Sequence, residues 1–125
     1  MLYSDEQKSR WIMITQLRNW REFRALIDEF NDKTVLINVG APWCQTCRQI
    51  EPYFLAVSER APGIVFARID IDENRETTLT LKIETYPTFL FIKNNRIVDC
   101  VVGANQRALR ELITKYQEPI TSEET

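Results

Sequence analysis

Apolar residues follow two patterns along this chain, continuous runs and positions spaced three or four residues apart. Continuous apolar runs are typical of strands buried on both faces, and the wider spacing is typical of helices with one buried face. The predicted strands are residues 11–14, 35–39, 64–71, 87–92 and 97–102. The predicted helices follow an N-cap at Asn19, begin near Cys44, cover about 74–81, and place a last core face on 108–116.

The order of these elements predicts an α/β fold. Each β-α-β unit requires a right-handed crossover between parallel strands, and Asn94-Asn95 is a candidate two-residue turn that adds an antiparallel hairpin. We therefore expect a mixed sheet between two layers of helix, with chemistry collected outside the carboxyl ends of the central strands. One domain at residues 10–118 is expected, with polar tails at 1–9 and 119–125.

Composition and charge exclude several classes of function. The 125 residues are 44% hydrophobic and 27% charged, with a formal net charge of −2 and no block of like charge. This distribution gives no footprint for nucleic acid or for an acidic membrane surface. No apolar run approaches the roughly 20 residues needed to span a bilayer. The first ten residues are polar, so we expect a cytoplasmic protein, or a mitochondrial matrix protein if a presequence has been removed.

The cysteine and histidine counts restrict the chemistry further. Three cysteines are too few for a disulfide-stapled scaffold and odd in number, which favours a reducing intracellular compartment. The absence of histidine removes Cys-His nucleophilic catalysis, imidazole base catalysis and histidine-containing zinc sites. We expect neither a metal nor a cofactor.

The strongest candidate for chemistry is the pair Cys44 and Cys47, which lies between a buried strand ending at Gly40 and an amphipathic helix. A helix N-terminus stabilises a thiolate, so this placement favours thiol–disulfide exchange over half of a metal site or two structural thiols. We expect Cys44 to be partly exposed and to attack a target disulfide. Cys47, one turn further into the helix and shielded, would resolve the mixed disulfide.

Three stretches together resemble the thioredoxin family in order and spacing: VLINVGAPWCQTCRQIEP, FARIDIDEN and KIETYPTFLFIKNNRIVDCVVGAN. The resemblance runs from about residue 11 to 117. It implies a thioredoxin fold, a five-stranded mixed β-sheet flanked by four α-helices, and reduction of protein disulfides through the two cysteines. It also implies disulfide-containing or extended protein substrates, and an external thiol or thioredoxin-type reductase that regenerates the dithiol.

The resemblance also implies a substrate-docking surface around the cysteines. Pro87 matches the family's cis-proline, which faces the CxxC motif, and Tyr86 would offer its backbone to an extended substrate strand. Trp43 matches the tryptophan that precedes the nucleophile. The complete implied surface consists of Trp43, Tyr86, Pro87, Val102, Gly103 and Ala104.

Four residues depart from the family pattern at positions expected to tune redox behaviour. Gln45 and Thr46 replace the usual Gly-Pro between the cysteines and so change the relative stability of dithiol and disulfide. Asn38 replaces a buried aspartate, and an amide cannot take a proton from the resolving thiol. Arg68 replaces a lysine and could favour the Cys44 thiolate from below, or merely extend from a strand end. We therefore expect a weak reductase.

Other interpretations remain open. The docking surface could hold unfolded chains as a redox-regulated chaperone does, two chains could share an iron–sulfur cluster, or the protein could act as a disulfide isomerase. Cys100 shares a strand face with Val98 and Val102, and we expect it to be a small buried hydrophobe. A reactive Cys100 near the sheet edge would permit dimer formation, so the expected state is a monomer or a weak homodimer.

Overall fold

The computed structural model describes residues 14–117. Its strands are β1 (Ile14–Gln16), β2 (Thr34–Gly40), β3 (Ile64–Asp70), β4 (Thr88–Lys93) and β5 (Arg96–Val102). Its helices are α1 (Trp20–Glu29), α2 (Gln45–Ser58), α3 (Arg75–Thr80) and α4 (Gln106–Tyr116). The predicted tails and most of the predicted first strand lie outside the described residues, so β1 shares only Ile14 with that strand.

The five strands form one mixed sheet in the order β1-β3-β2-β4-β5. Strands β1 and β2 both run parallel to β3, whereas β4 is antiparallel to β2 and to β5. All seven residues of β2 are buried, because this strand lies at the centre of the sheet with helices on both faces. The predicted mixed sheet with four flanking helices is confirmed.

Two hydrophobic clusters fill the two sides of the sheet. One combines α1 with Val35, Ile37 and Val39 of β2, and α3 lies against α1 on this side. The other combines α2 and α4 with Leu36 of β2 and with the aromatic residues of β3 and β4. Alternate side chains of β2 therefore serve opposite clusters, as the period of a strand requires.

Two local signals act as the sequence predicted. The Asn19 side chain accepts a hydrogen bond from the Glu22 backbone N–H at 2.8 Å and caps α1. The Glu22 carboxylate accepts a hydrogen bond from the backbone N–H of Arg18 at 2.8 Å. In a regular capping box the donor would be the N-cap residue itself, Asn19. Asn94 and Asn95 have φ values of 55° and 62°, so they form the tight turn that joins β4 to β5.

The expectation that Cys100 is buried is wrong. Cys100 is exposed, and its neighbours Val98 and Val102 are 39% and 59% exposed. The three residues do share one face of β5, but the opposite face, which carries Val101, packs against α4. β5 is an edge strand, and within residues 14–117 the face that carries Cys100 is open to solvent.

Candidate active site

Cys44 is the N-cap residue of α2. Its backbone is extended, with φ −82° and ψ 114°, and its sulfur accepts a hydrogen bond from the Cys47 backbone N–H at 3.2 Å. The turn before it closes when the Cys44 backbone N–H donates to the Ala41 carbonyl at 3.2 Å. The sulfur therefore receives both a direct N–H donor and the positive end of the helix dipole, which together stabilise a thiolate.

Cys44 and Cys47 form a disulfide, with their Cα atoms 5.2 Å apart. Cys44 is 7% exposed and Cys47 is 9% exposed, so both are buried in this oxidised state. The expectation of a partly exposed Cys44 over a more shielded Cys47 is therefore wrong for the disulfide form. The Cys44 sulfur is bonded to Cys47 on one side and lies against the Thr46 hydroxyl on another, so little of it reaches solvent.

Thr46 links the disulfide to the loop that precedes β4. Its hydroxyl oxygen lies 3.4 Å from the Cys44 sulfur, and the same hydroxyl donates to the Tyr86 carbonyl at 3.3 Å. One hydroxyl proton therefore faces two acceptors, the sulfur and the carbonyl. A proline at this position would offer no donor at all.

Trp43 is held in place by a residue from another loop. Its indole N–H donates to the Asp72 carboxylate at 2.8 Å, and its ring meets the Tyr86 ring edge-on with the centroids 6.4 Å apart. Even so, 61% of Trp43 is exposed, which leaves a fixed aromatic surface beside the disulfide.

The two loops beyond the disulfide are joined at Pro87. The Tyr86–Pro87 peptide bond is cis, and the Pro87 carbonyl accepts a hydrogen bond from the Gly103 backbone N–H at 2.7 Å. Gly103 has a φ of 91°, a conformation that glycine adopts without strain. Val102 and Ala104 on either side of it are exposed. Five residues of the predicted docking surface thus lie on loops, and Val102 ends β5; the Trp43–Tyr86 ring contact and the Pro87–Gly103 hydrogen bond connect these segments.

Gly40 allows the inner sulfur to approach the sheet. A Cβ atom at residue 40 would lie 2.8 Å from the Cys47 sulfur and 3.8 Å from the side-chain oxygen of Asn38. Real Cβ atoms do not come this close to a sulfur, so the site requires a residue without a side chain here. The Asn38 side-chain oxygen and the Cys47 sulfur therefore both lie close to Gly40.

Arg68 is engaged by α2. Its two terminal nitrogens donate to the two carboxylate oxygens of Glu51 at 2.7 Å each, and its guanidinium lies 5.4 Å from the ring centroid of Phe54. Glu51 therefore neutralises the charge that was expected to favour the Cys44 thiolate. Cys47, Asn38, Glu51 and Arg68 all line a solvent-open cavity of about 340 Å³ on the Cys47 side of the disulfide.

Sequence reasoning did not identify Asp72 or Glu51 as parts of the site. Asp72 follows β3 at the carboxyl edge of the sheet, where the position of the cysteines indicated chemistry, so its place was a usable signal. Glu51 lies four residues after Cys47 on the same helix, a spacing that puts both side chains on one face. Gln45, in contrast, is exposed at the first position of α2.

These features define a class of protein, an α/β domain with a redox-active cysteine pair at a helix N-terminus. The family model described as Thioredoxin matches residues 14–115. A thioredoxin of Geodia cydonium is 36% identical over 104 residues, which cover 82% of this chain and 98% of that protein. The chain belongs to the thioredoxin family and is a protein thiol–disulfide oxidoreductase.

Solved structures show the same relationship. Fasciola hepatica thioredoxin is 34% identical with a TM-score of 0.80, and the match covers 82% of this chain and 99% of that one. Oxidised mitochondrial thioredoxin 3 of Saccharomyces cerevisiae is 28% identical with a TM-score of 0.77, over 85% of this chain and 98% of that one. The predicted thioredoxin fold is therefore confirmed. Members of this family act on protein disulfides and are themselves reduced by a reductase.

The other interpretations gain no support from the described residues or from the relatives. This applies to chaperone-like binding in particular. Between residues 14 and 117, no group of three or more His, Cys, Asp or Glu residues could hold a metal ion, and no helix could cross a membrane.

Although Cys100 is exposed, partial desolvation of its thiol and the adjacent Asp99 carboxylate raise the pKa of Cys100. A raised pKa leaves less thiolate and makes Cys100 a poor nucleophile.

Proposed function

We propose that Cys44 is the nucleophile of this oxidoreductase and Cys47 its resolving thiol. The supporting observation is the N-cap position of Cys44, whose sulfur accepts the Cys47 backbone N–H at 3.2 Å. Cys47 instead borders the solvent-open cavity beside Asn38 and Gly40. A thiolate on Cys44 would be the better stabilised of the two, and so the first to react.

The reaction proceeds by two exchanges. The Cys44 thiolate attacks one sulfur of a substrate disulfide, and the other substrate sulfur leaves as a thiolate. The Cys47 thiol then loses its proton and attacks the Cys44 sulfur, which releases the second substrate thiolate and forms the Cys44–Cys47 disulfide. Two electrons pass to the substrate, and an external thiol or a thioredoxin-type reductase returns two electrons to the protein.

The substrate is a protein disulfide in an extended segment that docks across Trp43, Tyr86, Pro87 and residues 102–104. Two features support this. Trp43 and Val102 are the most exposed large apolar side chains next to the disulfide, at 61% and 59%. Among residues 14–117, the Tyr86 carbonyl accepts only the shared Thr46 hydroxyl, at 3.3 Å, so a substrate backbone N–H could displace that bond and add a strand.

The residues around the cysteines set the redox potential, as the sequence suggests. Thr46 and Gln45 act at the start of α2, Asn38 acts as a neutral amide under Cys47, and Arg68 acts through its pair with Glu51. A protein of this kind would be a weak reductase that works in a reducing intracellular compartment, as a monomer or a weak homodimer. The cytoplasm and the mitochondrial matrix both fit, and a related yeast thioredoxin is mitochondrial.

Reduction of insulin disulfides tests the two roles. We expect Cys44→Ser to lose the activity completely, and Cys47→Ser to accumulate a mixed disulfide with a substrate, visible as an added mass that dithiothreitol removes. Cys100→Ser is the matched control, because it removes a thiol outside the site and should keep wild-type activity. Wild-type activity equal to that of Cys44→Ser, or a mixed disulfide trapped by Cys44→Ser instead of Cys47→Ser, would refute the assignment.

A further inference from the structure

The cavity on the Cys47 side of the disulfide supports a further role for Glu51, which depends on the resolving role proposed for Cys47. Asn38 cannot accept the proton that Cys47 must lose, because the lone pairs of an amide are too weakly basic. We propose that Glu51 accepts this proton through water in the cavity.

The first support is the position of Glu51 on α2. Residues four apart on a helix lie on the same face with their Cβ atoms about 5–6 Å apart, so Glu51 lies one turn below Cys47. Both residues line the same cavity of about 340 Å³. The Glu51 side chain is 31% exposed, so its carboxylate can exchange a proton with bulk solvent as well as with the cavity.

The second support comes from two buried polar atoms without a protein partner, the side-chain oxygen of Asn38 and Nε of Arg68. Asn38 is only 4% exposed, and both residues line the cavity. Buried polar atoms of this kind usually bind ordered water, and the cavity has room for several water molecules. Such waters would connect the Cys47 sulfur, beside the Asn38 oxygen, with the Glu51 carboxylate beside Arg68.

The other charged groups at the cavity leave Glu51 as the best acceptor. Arg68 pairs with Glu51 from β3, and Arg48, which also lines the cavity, donates to the Pro42 carbonyl at 2.7 Å. Asp70, at the end of β3, is the second carboxylate, but it accepts the backbone N–H of Asp72 at 2.9 Å and so caps the loop. Each Glu51 oxygen accepts one Arg68 nitrogen and keeps a further lone pair for water.

The proposed step begins from a mixed disulfide between Cys44 and the substrate. The Cys47 proton passes to a cavity water while that water gives a proton to Glu51. The Cys47 thiolate then attacks the Cys44 sulfur, the bond between Cys44 and the substrate sulfur breaks, and the substrate leaves as a thiolate with the bonding electron pair. Glu51 finally releases its proton to solvent or to the departing thiolate.

Stopped-flow reaction of the reduced Cys100→Ser protein, whose two remaining thiols are Cys44 and Cys47, with dithiobis(nitrobenzoate) separates the two exchanges. Attack by Cys44 releases one coloured thiolate, and resolution by Cys47 releases a second. We expect Glu51→Gln to keep a first phase at least as fast as that of the wild type, because it frees the Arg68 charge, and to slow the second phase by about tenfold or more below pH 7. The two proteins should converge at high pH, where hydroxide takes the Cys47 proton directly.

Three further variants separate proton transfer from a structural effect. Glu111→Gln removes a Glu–Arg pair of α4, where Glu111 lies 3.5 Å from Arg107, and should resolve at the wild-type rate. Glu51→Asp retains a carboxylate and should recover part of the lost rate. Adding Asn38→Asp to Glu51→Gln restores a carboxylate next to Cys47 and should recover the second phase.

The outcomes that overturn the proposal are distinct. A second phase that is unchanged in Glu51→Gln, or slowed equally at every pH, refutes proton acceptance by Glu51. A second phase slowed in Asp70→Asn but not in Glu51→Gln assigns the role to Asp70 instead. A wild-type protein without a first phase would overturn the nucleophilic role of Cys44 and this proposal with it.

Discussion

Replacing Thr46 by valine should make Cys44 less reactive and its disulfide harder to reduce. Valine has nearly the shape of threonine but lacks the hydroxyl that lies 3.4 Å from the Cys44 sulfur. In the disulfide, this hydroxyl donates to the Tyr86 carbonyl at 3.3 Å. After reduction the sulfur becomes a thiolate, which attracts the proton more strongly than a neutral carbonyl does. The hydroxyl should then turn to Cys44 and stabilise the reduced form.

The size of the effect follows from the type and exposure of this hydrogen bond. Hydrogen bonds to charged groups contribute about 1.5–3 kcal/mol. Because Thr46 is exposed, solvent screening reduces this to about 1 kcal/mol. A loss of about 1 kcal/mol lowers the thiolate population about fivefold wherever the thiol predominates. It also lowers the reduction potential by about 20 mV, because removing the bond destabilises the dithiol form relative to the disulfide.

Two measurements check the Thr46 prediction. The rate of alkylation of Cys44 by iodoacetamide, measured against pH, reports the thiolate population, and equilibration with a glutathione buffer reports the potential. Thr46→Ser is the matched control, since it keeps the hydroxyl and should behave like the wild type in both assays. Equal alkylation rates for Thr46→Val and the wild type at every pH would refute the reasoning, as would a potential that rises in Thr46→Val.

Two further substitutions test other parts of the structure. Gly40→Ala puts a Cβ atom 2.8 Å from the Cys47 sulfur, so it should destabilise the oxidised protein by about 1–3 kcal/mol, and the reduced protein less because its thiol can rotate away. Thermal unfolding of both forms measures this, and equal melting temperatures for oxidised Gly40→Ala and oxidised wild type would contradict it. The Tyr116 hydroxyl, and then Lys115, lower the pKa of Asp99 below its usual 3.8, so the ionised carboxylate stabilises the fold above pH 3.8 and this contribution is lost as the pH falls through the lower folded-state value. Asp99→Asn should therefore lower the free energy of unfolding by on the order of 1 kcal/mol at pH 7 and by progressively less in acid. Urea unfolding that shows the same difference between variant and wild type at pH 7 and in acid would exclude this linkage.

The elements that the sequence predicted well are those set by neighbouring residues. The apolar run of β2, the Asn19 cap and the Asn94-Asn95 turn are local features, and each forms at the expected place. The burial of Cys100 was predicted wrongly from equally clear alternation along β5. Alternation shows which residues share a face, but only the docking of α4 decides which face is covered.

The same distinction applies to the candidate site. The cysteine pair could be placed at a helix N-terminus because a buried strand and an amphipathic helix flank it in the chain. The hydrogen-bond partners of Trp43 and Arg68 could not be predicted from the sequence. Asp72 is 29 residues from Trp43, and Glu51 is 17 residues from Arg68. Pairs this distant depend on how α2 and the loop after β3 meet at the sheet edge.

We expect the departures from the family pattern to act together on the charge near Cys44. A buried carboxylate under the cysteines would repel a thiolate, and the neutral amide of Asn38 removes that repulsion. The Thr46 hydroxyl adds a potential donor, so we expect both changes to stabilise the thiolate and with it the dithiol state. A more stable dithiol makes the protein a weaker reductant. Because both oxygens of Glu51 are paired with Arg68, Glu51 can accept the Cys47 proton without adding net negative charge under the thiolate. The site can therefore favour the thiolate on Cys44 and still deprotonate Cys47.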